Sequence, residues 1–167
     1  SKGLVFVMHG LGGFKEQPHI QTFADAFREK NFTVVLFDTT HTYGESEGNY
    51  EDATTTNYYE DLEDIINWAK TQSWYKEPFW LVGHSLGGAV VYKLLERVKS
   101  QIAKAILVDP VYKPEYNDKP RPAVLKSTDW KFDWQKIKNH ANEFVVVGDK
   151  NFPIIKEEHL RELSLNL

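Results

Sequence analysis

The segment FWLVGHSLGGAVV, residues 79–91, joins an apolar run to a helical pattern through a glycine-rich turn. The turn has the spacing Gly-x-Ser-x-Gly and lies between a predicted strand and a predicted helix, the context in which this spacing carries chemistry. Such a turn strains its central residue, here Ser85, and projects the hydroxyl above the carboxyl edge of a sheet. The helix start beside it favours developing negative charge. The segment therefore predicts a reactive serine; the alternative is a helix that begins with a capping serine.

Composition limits the classes of protein that remain. The chain has 167 residues, 41% hydrophobic and 26% charged, which is typical of one globular domain spanning residues 1–167. A net charge of -4 gives no reason to expect a nucleic-acid partner, and the absence of cysteine excludes disulfides and a thiol nucleophile. No apolar run approaches the ~18 residues of a membrane helix, and no signal peptide is visible. We therefore expect a cytoplasmic protein without a membrane partner.

Apolar runs and helical periods alternate along the chain, which predicts an α/β fold: a doubly wound parallel sheet of about five strands with helices on both faces. The strand order 2-1-3-4-5 is expected, and it places the ends of strands one and three together at the point where ligands bind. We expect strand two, at residues 32–37, to be buried, as strand one is. The predicted strands cover residues 3–8, 32–37, 79–82, 103–108 and 143–147, and the predicted helices lie near 18–30, 58–71, 86–98, 134–140 and 154–165.

Strand one ends in HGLGG, residues 9–13. Its three glycines would let backbone N–H groups point into a cavity. One interpretation is an oxyanion hole with the Leu11 N–H as a donor; the other is a phosphate-binding loop, although the full G-x-G-x-x-G spacing and a P-loop lysine are missing. We predict that His9 orients this loop. In the loop of residues 38–48, near the same edge, we expect Asp38 and His41 to stabilise the loop rather than to react.

Helix and strand patterns fade between residues 111 and 130, where three prolines occur, and a cap at residues 110–131 is one explanation. This segment fits a cap or lid over the site, and a plain surface excursion fits almost as well.

The sequence indicates no metal or organic cofactor. The acidic run at residues 60–64 is better explained as a solvated helix face near a helix N-terminus than as a metal site.

Together, the turn at residues 83–88 and the loop at 9–13 resemble the nucleophile elbow and the His-Gly oxyanion loop of the α/β-hydrolase superfamily. Residues 1–90 resemble cinnamoyl/feruloyl-type carboxylesterases. From Trp130 onward the chain is more similar to small serine hydrolases of the retinoblastoma-binding-protein-9 and YdeN type. The two resemblances, with a start at Ser1 almost directly before a strand, raise the hypothesis of an engineered chimera or a truncated form of a minimal α/β-hydrolase core.

The resemblance implies that Ser85 is the nucleophile and that the backbone N–H groups of Leu11 and Leu86 hold the oxyanion. The acid and the histidine should follow in that order. The family pattern places the acid at the position of Asn151, two residues beyond Asp149. It also places the histidine in a loop after one further strand.

His159 is the only histidine after that loop, and it falls within the last predicted helix. The relay implied by the resemblance is therefore Ser85, His159 and Asp149. The alternative for these last two residues is an aspartate that caps the last helix and an ordinary helical histidine.

The function implied by the resemblance is carboxylic ester hydrolysis through an acyl-enzyme, with a small or aromatic ester as the partner molecule. Because a serine hydroxyl without a base is a poor nucleophile, an impaired or inactive scaffold is one alternative. A binding module or interaction protein that uses the same pocket is another. A missing last strand would leave an open sheet edge beside strand five, and such an edge predicts a homodimer.

Overall fold

The computed structural model describes residues 1–111, 131–149, 151 and 157–167. Within these residues, five strands form one sheet in the order β2-β1-β3-β4-β5, and every neighbouring pair is parallel. The predicted α/β fold and strand order are confirmed. The strands are β1 (Gly3–Met8), β2 (Phe32–Leu36), β3 (Phe79–His84), β4 (Ile102–Val108) and β5 (Phe144–Val147). The helices are α1 (Pro18–Glu29), α2 (Thr55–Ala69), α3 (Leu86–Leu95), α4 (Trp134–His140) and α5 (Glu157–Asn166), and a 3₁₀ turn spans Tyr50–Asp52.

The two faces of the sheet carry different helices. On one face, α1 buries Ile20 against Val5 and Val7 of β1 and Val82 of β3. The opposite face holds α2, α3 and α4 in the larger core cluster, and α5 joins that cluster through Leu163. Both faces are thus covered, as expected for a parallel sheet with crossover helices.

Strand β1 is buried along its whole length, as its unbroken apolar sequence predicts. The prediction that the second strand is buried is wrong for most of its length: within β2 Val35 is buried, and Phe37 directly after the strand is also buried, but the other residues are half-buried. Among the described strands, β2 lies at an edge of the sheet with β1 as its one neighbour, so its apolar sequence is partly covered.

Helix α3 is the most enclosed helix among the described residues, since every residue except Lys93 is buried. It ends at Leu95 rather than near residue 98, and beyond it the Arg97 N–H donates to the Leu94 carbonyl, three residues back, instead of continuing the α-helical pattern. Strand β3 runs two residues further than predicted, because Gly83 and His84 still pair with β4. Ser85 therefore stands directly between the end of a central strand and the start of a buried helix.

Two of the expectations fall largely outside the described residues. Nearly all of the expected cap at residues 110–131 lies outside the described residues. The expected start of the last helix near residue 154 also lies outside them, and the described part of that helix begins at Glu157. Over the described portion of the chain, none of the helices is long and apolar enough to cross a bilayer.

Candidate active site

Ser85 has backbone angles of φ 53° and ψ −117°, a conformation that non-glycine residues rarely adopt. Three backbone hydrogen bonds hold it there. Its N–H donates to the Val108 carbonyl at 2.9 Å, and its carbonyl accepts from the N–H groups of Gly88 and Val111, each at 3.0 Å. A conformation of this kind costs about 1–3 kcal/mol and persists only where the surroundings enforce it. The strained turn predicted from Gly-x-Ser-x-Gly is therefore present.

Two glycines of the turn are required by close backbone approach. A Cβ atom on Gly83 would lie 2.5 Å from the Gly87 carbonyl oxygen. A Cβ atom on Gly87 would lie 2.6 Å from the His9 carbonyl oxygen. The second contact joins the turn directly to the loop that follows β1.

The loop of residues 9–13 lies against the serine. A Cβ atom on Gly10 would be 3.0 Å from the Ser85 Cβ, and the Gly13 N–H closes the loop onto the Gly10 carbonyl at 3.0 Å. Neither the Leu11 N–H nor the Leu86 N–H donates a hydrogen bond within the described part of the chain. Two unused backbone donors beside a serine form an arrangement that can hold a developing negative charge.

His9 supports this loop through contacts of both of its ring nitrogens. Its Nδ1 lies 2.8 Å from the Gly10 carbonyl oxygen, which can only accept, so the proton is on Nδ1. Its Nε2 accepts the Thr39 N–H at 3.2 Å. Burial lowers the pKa of His9, so the ring is neutral at pH 7. These contacts agree with the predicted orienting role.

Asp38 ties the same loop to the segment that follows β2. Its carboxylate accepts from the Lys15 N–H and the Lys15 Nζ, both at 2.7 Å, and from the Glu45 N–H at 3.0 Å. Nearby, the Thr42 hydroxyl donates to the Gly13 carbonyl. Burial by itself would raise the pKa of Asp38, but the Glu45 and Lys15 hydrogen bonds outweigh it and hold the pKa below the usual 3.8. The expected stabilising role of Asp38 thus has specific partners.

The carboxylates of Glu16, Asp38 and Glu45 lie close enough together to hold a metal ion. However, the Lys15 ammonium already contacts all three, at 3.0 Å from Glu16 and 2.7 Å from Asp38, with Glu45 also in contact. The Lys15 ammonium therefore already supplies positive charge to the three carboxylates, and these ion pairs explain why the carboxylates lie together without a metal ion.

His84 and His41 are two further histidines whose rings are candidate bases. The His84 ring faces α1, 4.6 Å from the His19 ring, and burial lowers its pKa to about 4. His41 has a positive φ of 60°, and its N–H donates to the Glu47 carbonyl at 2.9 Å. No hydrogen bond joins either ring to Ser85 within the portion of the chain that the structure covers.

Asp149 follows β5, and His159 lies in α5. The Asp149 carboxylate accepts the Asn151 N–H at 2.8 Å, so it supports its own loop. His159 is 5% exposed in α5, four residues before the core residue Leu163. Across residues 1–111, 131–149, 151 and 157–167, no hydrogen bond or ion pair joins His159 to Ser85 or Asp149.

Asp109 is a residue of this edge to which the sequence analysis assigned no role. It follows β4 with a φ of 43°, donates its N–H to the Val147 carbonyl at 2.7 Å, and accepts the Asp149 N–H at 2.7 Å. The available signal was its place directly after a buried strand, beside the strand that delivers Ser85. Asp109 fastens the loop after β5 to the carboxyl edge.

A five-stranded parallel sheet that presents a serine at a strained strand-to-helix turn is the architecture of an α/β-hydrolase. The family model described as "Serine aminopeptidase, S33" matches residues 1–152, and the chain belongs to this family. An Escherichia coli protein described as an uncharacterized 31.7 kDa protein in the traX-finO intergenic region is 29% identical over 149 residues. That match covers 86% of this chain and 51% of the E. coli protein, so the chain spans about half the length of this curated relative.

Solved structures show the same fold. Est1E from Butyrivibrio proteoclasticus, solved with ferulic acid bound, superposes with a TM-score of 0.79 at 16% identity, covering 98% of this chain and 75% of Est1E. The ydeN gene product of B. subtilis gives 0.74 at 17% identity and 99% and 81% coverage. An esterase of Pyrococcus furiosus gives 0.77 at 18% identity and 99% and 68% coverage. At these identities the similarity concerns the fold alone.

Proposed function

We propose that this domain hydrolyses carboxylic esters through an acyl-enzyme, with Ser85 as nucleophile. The observation that carries the proposal is the positive φ of 53° at Ser85, beside two backbone N–H groups, those of Leu11 and Leu86, that have no acceptor within the described residues. Membership of an α/β-hydrolase family supports the same conclusion.

The chemistry would proceed in two acyl transfers. The Ser85 Oγ forms a bond to the ester carbonyl carbon as its proton passes to a base, and the carbonyl oxygen becomes an oxyanion held by the Leu11 and Leu86 N–H groups. Collapse breaks the bond to the alcohol, which leaves with the proton. Water then releases the acid by the same path. One well-placed oxyanion donor contributes about 10²- to 10³-fold in rate.

The base is the component that the site still requires. We retain His159, oriented by Asp149, as the proposed base, which requires α5 to present the His159 ring at Ser85. His84 is a poor substitute, because a pKa of about 4 leaves it weakly basic at neutral pH.

The second candidate function is a binding scaffold with little or no turnover. The observation in its favour is that neither His159 nor Asp149 hydrogen-bonds to Ser85 within the part of the chain that is described. The oxyanion hole and substrate binding alone would leave about 10³-fold acceleration over water.

The substrate class that we propose is small or aromatic esters. Among the similar structures, one is an esterase of Pyrococcus furiosus, and another, Est1E, holds ferulic acid, an aromatic carboxylic acid. This supports an ester with a compact acyl group and leaves the alcohol open.

Active-site labelling with a fluorophosphonate tests both candidates. We expect intact mass and peptide mapping to locate the label on Ser85, and we expect Ser85→Ala to abolish it. His159→Gln should then slow labelling by about 10²-fold or more, because proton removal by a general base contributes about 10²–10⁴-fold. The matched control is His140→Gln, since His140 is a partly exposed histidine of α4 whose Nδ1 contacts the Lys136 carbonyl.

Folded, monodisperse protein that takes no label would refute the catalytic proposal and favour the scaffold. Labelling at Ser85 that His159→Gln leaves unchanged would keep the nucleophile and reject the base.

A further inference from the structure

Two tyrosines stack beside the proposed oxyanion hole. The rings of Tyr43 and Tyr50 have their centroids 4.8 Å apart and their planes at 23°. Tyr43 is 65% exposed, whereas Tyr50, at the start of the 3₁₀ turn, is partly buried. The outer ring therefore presents a flat aromatic surface to solvent while the inner ring supports it.

The pair lies against Gly12. A Cβ atom on Gly12 would be 3.2 Å from the Tyr50 ring and 3.4 Å from the Tyr43 ring, so both tyrosines contact the backbone next to Leu11. Gly10, whose own Cβ would lie 3.0 Å from the Ser85 Cβ, is two residues away. Two residues span at most about 7 Å, so the two rings and Ser85 pack against the same short loop.

The backbone on both sides of Tyr43 is fixed. Thr42, which precedes it, donates its hydroxyl to the Gly13 carbonyl of the same oxyanion loop. Two residues after Tyr43, the Glu45 N–H donates to the Asp38 carboxylate at 3.0 Å. Because Tyr43 is exposed yet held at both sides, a ligand that stacks on it would lose little free energy in ordering the loop.

We propose that Tyr43 and Tyr50 form the wall of a subsite for a planar aromatic ring carried by the ester. This inference rests on the proposed esterase function and specifies its substrate class. The ring can belong to the acid or to the alcohol of the ester, because the wall lies beside the loop that would bind the carbonyl group. Esters that carry the ring on one side or the other distinguish the two cases.

The test measures binding without turnover, in a Ser85→Ala background. Dissociation constants are obtained by NMR titration for three esters of equal carbon number: methyl cinnamate (aromatic acid), 2-phenylethyl acetate (aromatic alcohol) and methyl nonanoate (no ring). We expect Tyr43→Ala to weaken one of the aromatic esters about 2- to 12-fold more than methyl nonanoate, the range that aromatic pairing contributes beyond buried area. The aromatic ester affected identifies which side of the carbonyl carries the ring.

Two variants control the comparison. Tyr43→Phe keeps the ring and should keep the preference for that ester. Trp68→Ala removes a half-exposed aromatic side chain of α2 that packs against Trp74 rather than against Gly12, and it should not change the preference. Equal weakening of all three esters by Tyr43→Ala, or no saturable binding of either aromatic ester, overturns the inference. Failure of the proposed function would be seen separately, as absence of fluorophosphonate label on Ser85 in the parent protein.

Discussion

Replacing Asp38 by asparagine should loosen the loop that carries the proposed oxyanion donor. The Asp38 side chain is 3% exposed and receives three hydrogen bonds, two of them from Lys15. Asparagine keeps the shape but offers one acceptor oxygen instead of two, and its amide group would face a donor. One N–H or ammonium donor therefore loses its acceptor.

The size of the effect follows from these contacts. A hydrogen bond to a charged group contributes about 1.5–3 kcal/mol. Lys15 is 25% exposed, so water can replace part of its lost interaction. We therefore expect Asp38→Asn to lower the free energy of unfolding by about 2 kcal/mol at pH 7, measured by urea denaturation. The rate of Ser85 labelling should also fall about 10-fold, because the Leu11 N–H is displaced.

The pH dependence of the free energy of unfolding tests the role of Asp38 independently. The pKa of Asp38 is lowered in the folded protein, so its stabilisation is present above the ordinary value of 3.8 and is lost as the pH falls through the folded value. The difference between parent and variant should accordingly shrink below about pH 4.

Asp25→Asn is the matched control. Asp25 is 63% exposed and pairs with Arg28 on the surface of α1, so its loss should change stability by less than about 0.5 kcal/mol. If Asp38→Asn were no more destabilising than Asp25→Asn, or left the labelling rate unchanged, the reasoning that Asp38 holds this loop would be wrong.

Three further changes have expected outcomes. Gly87→Ala would gain about 1 kcal/mol of helix propensity, but its Cβ would lie 2.6 Å from the His9 carbonyl oxygen. We therefore expect the free energy of unfolding, measured in urea, to fall by about 1–3 kcal/mol. A more stable variant would contradict the close contact between Gly87 and the His9 carbonyl. His84 stays neutral in the folded protein down to about pH 4 but protonates near pH 6.5 when unfolded, so the free energy of unfolding should fall between pH 6.5 and 4. His84→Gln should remove about 1–2 kcal/mol of that fall, after allowance for partial solvent screening. An unchanged loss of stability over this pH range in the variant would refute the lowered pKa of His84. Within the described residues β5 pairs only with β4, so we expect concentration-dependent dimers by sedimentation, weakened by Val147→Lys at its half-exposed end; a monomer at all concentrations would reject this interface.

Much of the fold was accessible from local patterns. An unbroken apolar run such as β1 can be satisfied only in a buried strand, and the alternation of such runs with helical periods admits few sheet topologies. The Ser85 turn was equally predictable, because the glycines that permit it are adjacent in sequence. The partial burial of β2 was not predictable in this way, since position in the sheet depends on which strands pair.

The site required more than local pattern. Asp38 was expected to stabilise a loop, but its partner Lys15 lies 23 residues away, and no spacing rule connects the two. The stacking of Tyr43 and Tyr50 against Gly12 likewise depends on where β1 and β2 end in space. Asp109 acquired its contact with Asp149 only because β4 and β5 are neighbours.

Residue order alone thus specifies the features that depend on neighbouring residues: the strands and helices, the glycines of the Ser85 turn, and the side of the sheet at which reactive groups collect. Periodicity and steric permission act over a few residues and leave a direct trace in the sequence. The clamp on the oxyanion loop and the aromatic wall depend on side chains from separate elements meeting at one edge. Such contacts arise when the sheet assembles and its faces are buried, so they become visible only in the folded chain.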